Sequence, residues 1–354
     1  MSDKVLMKGN EAVAEAAIQA GCRHFFGYPI TPQTEISAYM AKKMPKIGGT
    51  FLQAESELAA INMVYGAAAA GVRAMTSSSS PGISLKSEGL SYIVGAELPC
   101  VLLNVQRGGP GLGGIQPSQA DYFQATRGPG HGDMHVVVFA PSTVQEMVDL
   151  CYDAFDIADL YRNPVMLLAD GVLGQMMEPV SFERRRVREL PEKTWATDGH
   201  GGRRPHNIIN SLYLEASKLE EHVRDIFAKY EAIKQNEVQF DTEFCEDAEL
   251  VVVAYGATAR VVKSAVKAAR EKGLKAGLFR PISLWPFPEK QLLALTDTAK
   301  AFLAVEMSMG QMVEDVRLAT ECRRPVHFYG RTGGVIPTPD EVLAQIEKIL
   351  GGAR

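Results

Sequence analysis

Two hydrophobic rhythms alternate along this chain. Continuous apolar runs of strand length lie at 24–28, 51–54, 73–77, 100–106, 136–139 and 165–168. Between them, at 10–21, 34–44, from 57, at 83–96 and at 144–160, apolar residues recur every three or four positions. The first rhythm predicts buried strands and the second predicts helices. Their alternation predicts an α/β fold whose parallel sheet is covered on both faces. After about Phe182 the chain turns charged and is punctuated by glycine and proline through Gly202. Residues 207–236 read as one long amphipathic helix rich in Glu and Lys, lying on a surface or a partner. A second unit follows, with strands at 250–254, 275–279 and 301–305 and a helix at 259–272. The expected organisation is a first domain over 1–185, a linker with the long helix over 186–247, and a smaller α/β domain over 248–354.

Composition narrows the function. The 354 residues suffice for two or more cores. A net charge of −5 with no large Lys/Arg cluster argues against nucleic acid. The run Arg184-Arg185-Arg186 reads as a solvated strand end. No apolar run reaches membrane-spanning length, and no signal-peptide pattern opens the chain. The five cysteines are scattered, without a CxxC pair. That suits a reducing cytoplasm and predicts no metal or iron–sulfur centre ligated by this chain.

In an open parallel sheet ligands gather where strands end and helices begin, and four such loops carry unusual residues. The first is Tyr28-Pro29-Ile30-Thr31-Pro32, where two prolines fix the backbone. Thr31 between them is either a substrate contact or a cap for the next helix. In the second, Glu57 opens a helix on the same stripe as Ile61, Val64 and Ala68. A carboxylate facing packed protein can shuttle a proton near neutral pH; equally, Glu55 and Glu57 are first-turn acids that suit the helix dipole. Third comes Thr76 to Gly82, a serine run able to offer hydroxyls to a ligand or simply to turn. Fourth, Arg107 stands at a strand end before five glycines. Its guanidinium can grip a carboxylate in bidentate fashion or pin the loop. The glycine spacing fits neither a P-loop nor a dinucleotide fingerprint, so a flexible active-site loop is the better reading. His131, alone in a Gly-rich loop, reads as structural.

Together, Tyr28-Pro29-Ile30-Thr31-Pro32, Ala54-Glu55-Ser56-Glu57 and Gln106-Arg107-Gly108-Gly109-Pro110 resemble the alpha subunit of 2-oxoacid:ferredoxin oxidoreductases. The likeness is strongest to the branched-chain (2-oxoisovalerate) type. Arg280-Pro281-Ile282, Trp285-Pro286-Phe287-Pro288 and Glu306-Met307-Ser308-Met309-Gly310-Gln311 resemble the second domain of that subunit. The resemblance covers nearly the whole chain, with no sharp motif over about 184–246.

The resemblance implies a pyrimidine-type thiamine diphosphate domain followed by a transketolase-C-terminal-like domain. It implies Glu57 as the catalytic, pyrimidine-contacting carboxylate, with Tyr28, Pro29 and Ile30 against the cofactor and Thr31 and Arg107 on the substrate. The reaction it implies is CoA-dependent oxidative decarboxylation of branched-chain 2-oxo acids to acyl-CoA, CO2 and reduced ferredoxin. A 2-oxoglutarate or pyruvate oxidoreductase is the alternative. The family's diphosphate and Mg2+ site is only partly matched by Ala169-Asp170-Gly171, so Asp170 reads as a turn residue and no metal is expected here. A beta subunit would then hold the diphosphate and Mg2+, and ferredoxin-like and gamma subunits would complete a hetero-oligomer with dimerised protomers. The 4Fe–4S clusters would sit on partner subunits. A nucleotide-binding protein lacks its fingerprint here, and a non-catalytic scaffold would not need Glu57, Thr31 and Arg107 together.

Overall fold

A computed structural model of the chain describes residues 4–184 and 186–351. Its first half runs β1 (Val5–Lys8), α1 (Gly9–Gln19), β2 (His24–Gly27), α2 (Thr34–Lys43), β3 (Thr50–Gln53), α3 (Glu57–Ala69), β4 (Ala74–Ser78), α4 (Pro81–Gly95), β5 (Val101–Gln106), α5 (Tyr122–Thr126), β6 (Val137–Phe139), α6 (Val144–Tyr161), β7 (Val165–Asp170), α7 (Gly171–Gln175) and β8 (Met177–Val180). After α8 (Ala216–Asn236) come β9 (Phe240–Glu243), β10 (Leu250–Val253), α9 (Gly256–Glu271), β11 (Ala276–Pro281), β12 (Ser283–Trp285), α10 (Glu289–Ala294), β13 (Ala301–Glu306), α11 (Met312–Ala319), β14 (Val326–Gly330) and α12 (Pro339–Gly351).

The strand–helix alternation yields the parallel α/β architecture that the apolar runs predict. A seven-stranded sheet has the order β12-β6-β7-β5-β4-β2-β3, parallel throughout except for β12. A five-stranded sheet has the order β14-β13-β10-β11-β9, with β9 antiparallel. β5 and β7 are buried along their whole lengths, as continuous Val/Leu/Met runs require, and the hydroxyl-bearing β4 between β5 and β2 is buried throughout as well.

In the second sheet the two faces separate by strict alternation. Val251, Val253, Phe279, Phe302 and Ala304 join the large core of the first half. Leu250, Val252, Leu278, Leu303 and Val305 face a second cluster with Val262 and Val266 of α9 and Val342 and Ile346 of α12. The halves therefore share one hydrophobic core, and β12 crosses from the second to extend the first sheet at β6.

Polar contacts seal the same seam. Gln119 accepts from Thr258 Oγ1 at 2.7 Å and from Met307 N at 3.0 Å, and donates to Tyr255 O at 2.9 Å. Arg280 pairs in bidentate fashion with Glu146 at 2.9 and 2.8 Å. Burial pushes the Glu146 carboxyl up, but the Arg280 hydrogen bonds and charge outweigh it and hold the group below its ordinary value.

Two expectations are corrected. The long helix begins at Ala216, not at 207. Residues 207–214 lie outside any helix or strand; there Asn207 donates to Thr194 O and Ala196 O, and Asn210 accepts from Leu212 N, local bonds that compete with helix. α8 then lies on the sheet edge, with Tyr230 edge-on to Trp285 at 5.3 Å and Trp285 stacked on His135 at 4.6 Å. Nor is the arginine run simply solvated. Arg184 pairs with the buried Asp156, which Arg73 also grips at 2.8 Å; Arg185 lies outside the described residues. Among the described residues no helix is long and apolar enough to cross a membrane.

Removing one partner of a buried ion pair leaves an uncompensated charge. Arg280→Met should cost about 3 kcal/mol in urea unfolding at pH 7. Because the folded Glu146 value lies below its ordinary 4.5, the pair's stabilisation is complete above that value. It is lost as pH falls through the folded value, so the difference between variant and wild type should shrink as pH is lowered below the ordinary 4.5.

Candidate active site at the strand ends

Strand order locates the crevice. β3 lies on one side of β2, while β4, β5 and β7 follow on the other, so the winding direction reverses between β2 and β4. Those two strands pair only through His24–Ala74 and Phe25–Met75 and part beyond that point. Ligands of open α/β sheets bind at such reversal points, outside the carboxyl ends of the strands. The four loops singled out from the sequence follow β2, β3, β4 and β5 at this end.

Glu57 begins α3 and is 5% exposed, whereas Glu55 is exposed. Ser56 caps the helix by accepting from Ala59 N at 3.2 Å. Ile61, Val64 and Ala68 continue the buried stripe below Glu57. The carboxylate has room because Gly82, in the first turn of α4, has no side chain. A Cβ there would stand 2.5 Å from Glu57 Oε1 and 2.0 Å from Ser78 Oγ.

Arg107 follows β5 and is 7% exposed. It donates to the backbone carbonyl of Thr31 at 3.0 Å and to that of Leu112 at 3.4 Å, while its Nε is buried without a partner. The glycine loop is closed on itself, with Gly108 N donating to Gln116 O and Gly114 N to Gly108 O, both at 2.9 Å. Gly113 has φ +58, and a Cβ there would meet Gly108 O at 1.9 Å, so only glycine fits. Leu112 stands at the loop's tip, 83% exposed.

The structure thus brings Thr31 and Arg107 into contact and places Glu57 at the same strand ends. The link between the two sides is the serine run. Ser78 flanks Glu57, and Ser80 Oγ accepts from Arg107 N at 3.0 Å while donating to Asp121 at 2.6 Å. Burial raises the Asp121 carboxyl, partly offset by hydrogen bonds from Ser80 and Asn104. Tyr28, Pro29 and Thr31 are exposed and Ile30 partly so, on the open side of the crevice. Gln33, not Thr31, occupies the position before α2, so the helix does not use the threonine as its cap. His131 is exposed, stacks edge-on with Tyr92 and donates no side chain to the crevice.

Asp170 caps α7 by accepting from Val172 N at 2.8 Å and Leu173 N at 3.2 Å. Burial pushes its carboxyl to about 6.

In the Thr76 to Gly82 run, singled out for its hydroxyls, Thr76, Ser78 and Ser79 carry buried hydroxyls without partners, and the run closes β4 rather than forming a plain turn. Two other residues escaped the sequence reading. Gln33, buried beneath the crevice, accepts from Ser77 Oγ at 2.5 Å. Lys86 is fully buried next to Glu57. A glutamine beside a proline turn carries no apolar signal, and a lysine's burial depends on which helix packs over it.

The partnerless hydroxyls at the end of β4, the partnerless Arg107 Nε and the cradle that Gly82 leaves beside Glu57 suit a polar ligand. They offer donors for an anionic group and one buried carboxylate for a basic nitrogen.

Comparison with known proteins shows the family. The family described as pyruvate flavodoxin/ferredoxin oxidoreductase, thiamine diphosphate-binding, matches residues 15–242. Pyruvate:ferredoxin oxidoreductase core domain II matches residues 248–342. The chain is 50% identical over 346 residues to the ketoisovalerate oxidoreductase subunit VorB of Methanothermobacter marburgensis, covering 98% of both. It is 37% identical over 377 residues to the 2-oxoglutarate synthase subunit KorA of Methanothermobacter thermautotrophicus, covering 99% of this chain and 100% of that one. Among solved structures it superposes on 2-oxoglutarate:ferredoxin oxidoreductase from Magnetococcus marinus, bound to 2-oxoglutarate, coenzyme A and succinyl-CoA. That match has a TM-score of 0.88 at 28% identity and covers 99% of this chain and 66% of that one.

Gly82→Ala should destabilise the chain by about 1–3 kcal/mol in urea unfolding, since the added methyl group must displace Ser78 or Glu57. A variant as stable as wild type would mean that this contact is slack.

Proposed function

The chain belongs to the 2-oxoacid:ferredoxin oxidoreductase family as a subunit of alpha type, and from that premise we propose its substrate, site and partners. It binds the pyrimidine half of thiamine diphosphate and serves the CoA-dependent oxidative decarboxylation of branched-chain 2-oxo acids, with ferredoxin as electron acceptor. The observation that carries the mechanism is Glu57, a buried carboxylate opening α3 at the sheet's reversal point. The branched-chain substrate rests on the identity margin, 50% to the ketoisovalerate enzyme against 37% to the 2-oxoglutarate enzyme.

Thiamine diphosphate supplies, when bound, a nucleophilic carbon for the 2-oxo group and an electron sink for the loss of CO2. Glu57 holds a proton at the pyrimidine ring nitrogen, where a buried carboxylate exchanges it without competition from water. Arg107, whose Nε lacks a partner, takes the substrate carboxylate. Thr31 is held beside it by the bond from Arg107 to its carbonyl, and its hydroxyl points the substrate. Tyr28, Pro29 and Ile30 form the wall against the cofactor.

The rest of the machine lies on other subunits in this reading. A beta subunit holds the diphosphate and Mg2+, and ferredoxin-like and gamma subunits carry or receive electrons through 4Fe–4S clusters. Two such protomers dimerise. Residues 1–185 form the pyrimidine domain, 186–247 the linker and 248–354 the second domain. A cytoplasmic setting is supported by the five free thiols.

The complex, co-purified anaerobically through a tag on this chain, should reduce viologen in a CoA-dependent way with 2-oxoisovalerate preferred over 2-oxoglutarate and pyruvate. The opposite preference would correct the substrate and leave the mechanism. Glu57→Gln should leave the complex assembled and lower turnover by about 100-fold or more; full turnover would sink the proton role. Arg107→Ala should raise the 2-oxo acid KM by about tenfold or more, and an unchanged KM would refute the clamp.

A further inference from the structure

Helices α3 and α4 meet face to face, and the residues of α4 at that seam are Gly82, Lys86 and Gly89, spaced by one turn each. Gly82 admits the Glu57 carboxylate, and Gly89 admits Ile61, whose Cγ2 would stand 2.5 Å from an added Cβ. Lys86 lies between them, 0% exposed and among the largest fully buried side chains of the molecule. Its Nζ donates to the backbone carbonyl of Glu57 at 3.4 Å. No carboxylate comes within ion-pair distance of it among the described residues.

A buried ammonium with one long hydrogen bond lowers stability. Burial pulls the Lys86 amine down to about 8, and the charge of Glu57 is what opposes that pull. Other charged groups around α4 point elsewhere. Glu88 is exposed and takes the Tyr92 hydroxyl. Asp133 and His131, on the loop that packs Gly130 against Ser87 and Ser91, are exposed. The cation therefore acts on Glu57 from α3 and on little else.

We propose that Lys86 is a positioning residue for Glu57: its ammonium, bonded to the Glu57 backbone carbonyl, anchors the first turn of α3 and sets a positive charge beside the carboxylate at the crevice. Removing a positive charge from beside a carboxylate alters its proton exchange whatever binds in front of it. The inference rests on the catalytic role proposed above for Glu57. It explains why a cation occupies a seam that an apolar side chain would fill more stably.

The test uses Lys86→Met, close in length and uncharged, with Lys86→Gln as the polar control should the methionine variant fail to assemble. Thermal unfolding of the full chain at pH 7 should show Lys86→Met melting about 3 °C or more above wild type. In the assembled complex, kcat should fall about tenfold or more. The acid limb of its pH profile should move up by about one unit, with the 2-oxo acid KM unchanged. A pH profile that superimposes on wild type overturns the proposal, whatever the melting temperature does. Glu57→Gln separates the two readings. Full turnover there sinks the role of Glu57, whereas a large loss there with an unmoved Lys86→Met profile sinks the role of Lys86 alone.

Discussion

The close approach of α3 to α4 depends on Gly82 and Gly89, which carry no side chain where Glu57 and Ile61 press against them. A carboxylate can leave water only if something gives it space and something compensates its charge. Gly82 gives the space. Ser56 ties down the helix start, and the free amides of the first turn suit an anion. Any larger residue at position 82 would push Glu57 outward, toward solvent, where a carboxylate exchanges protons with water before a ligand. The seam between two helices thus sets the chemistry available at the strand ends.

The other wall of the crevice is built from backbone carbonyls and one guanidinium. Arg107 spends two donors on Thr31 and Leu112 and so fixes the loop after β2 against the loop after β5. These loops belong to strands on either side of β4, and the parting of β2 from β4 opens the space between them. The second half of the chain supports this arrangement from below. Gln119, just past the glycine loop, is bonded to Tyr255, Thr258 and Met307, and Gly334 packs on Gln116. Movement of the second half would therefore be felt at Arg107 through a few rigid contacts.

Much of this was legible in the sequence, for a physical reason. Period-two and period-3.6 patterns report which face is buried, so the strands, the main helices and the buried stripe from Glu57 to Ala68 could be read directly. Arg107 and Thr31 stood out because each sits where a strand gives way to a helix. What could not be read depends on tertiary neighbours. Lys86 reads as an ordinary polar residue until α3 covers it. Ser78, one residue past the expected end of its strand, belongs to β4 only through its register beside β5. Asparagine side chains bond locally in 207–214 and keep it out of helix against an apparent helical pattern, and Arg184 looked solvated because Asp156 lies 28 residues away.

Stability and activity pull in opposite directions at the α3–α4 seam. A methionine at 86 would follow the ordinary rules of helix packing better than the lysine present, since a buried thioether needs no charge partner, whereas Gly82 gives up helix propensity to leave room for Glu57 and Ser78. Local rules broken together, on one face, next to one buried carboxylate, are what a site under functional constraint looks like. Elsewhere in the same fold the rules are kept: β5 and β7 are buried end to end, and Arg184, Arg188 and Lys193 pair with Asp156, Glu237 and Asp159. The exceptions cluster at the reversal point of the sheet, where topology alone already puts the ligand.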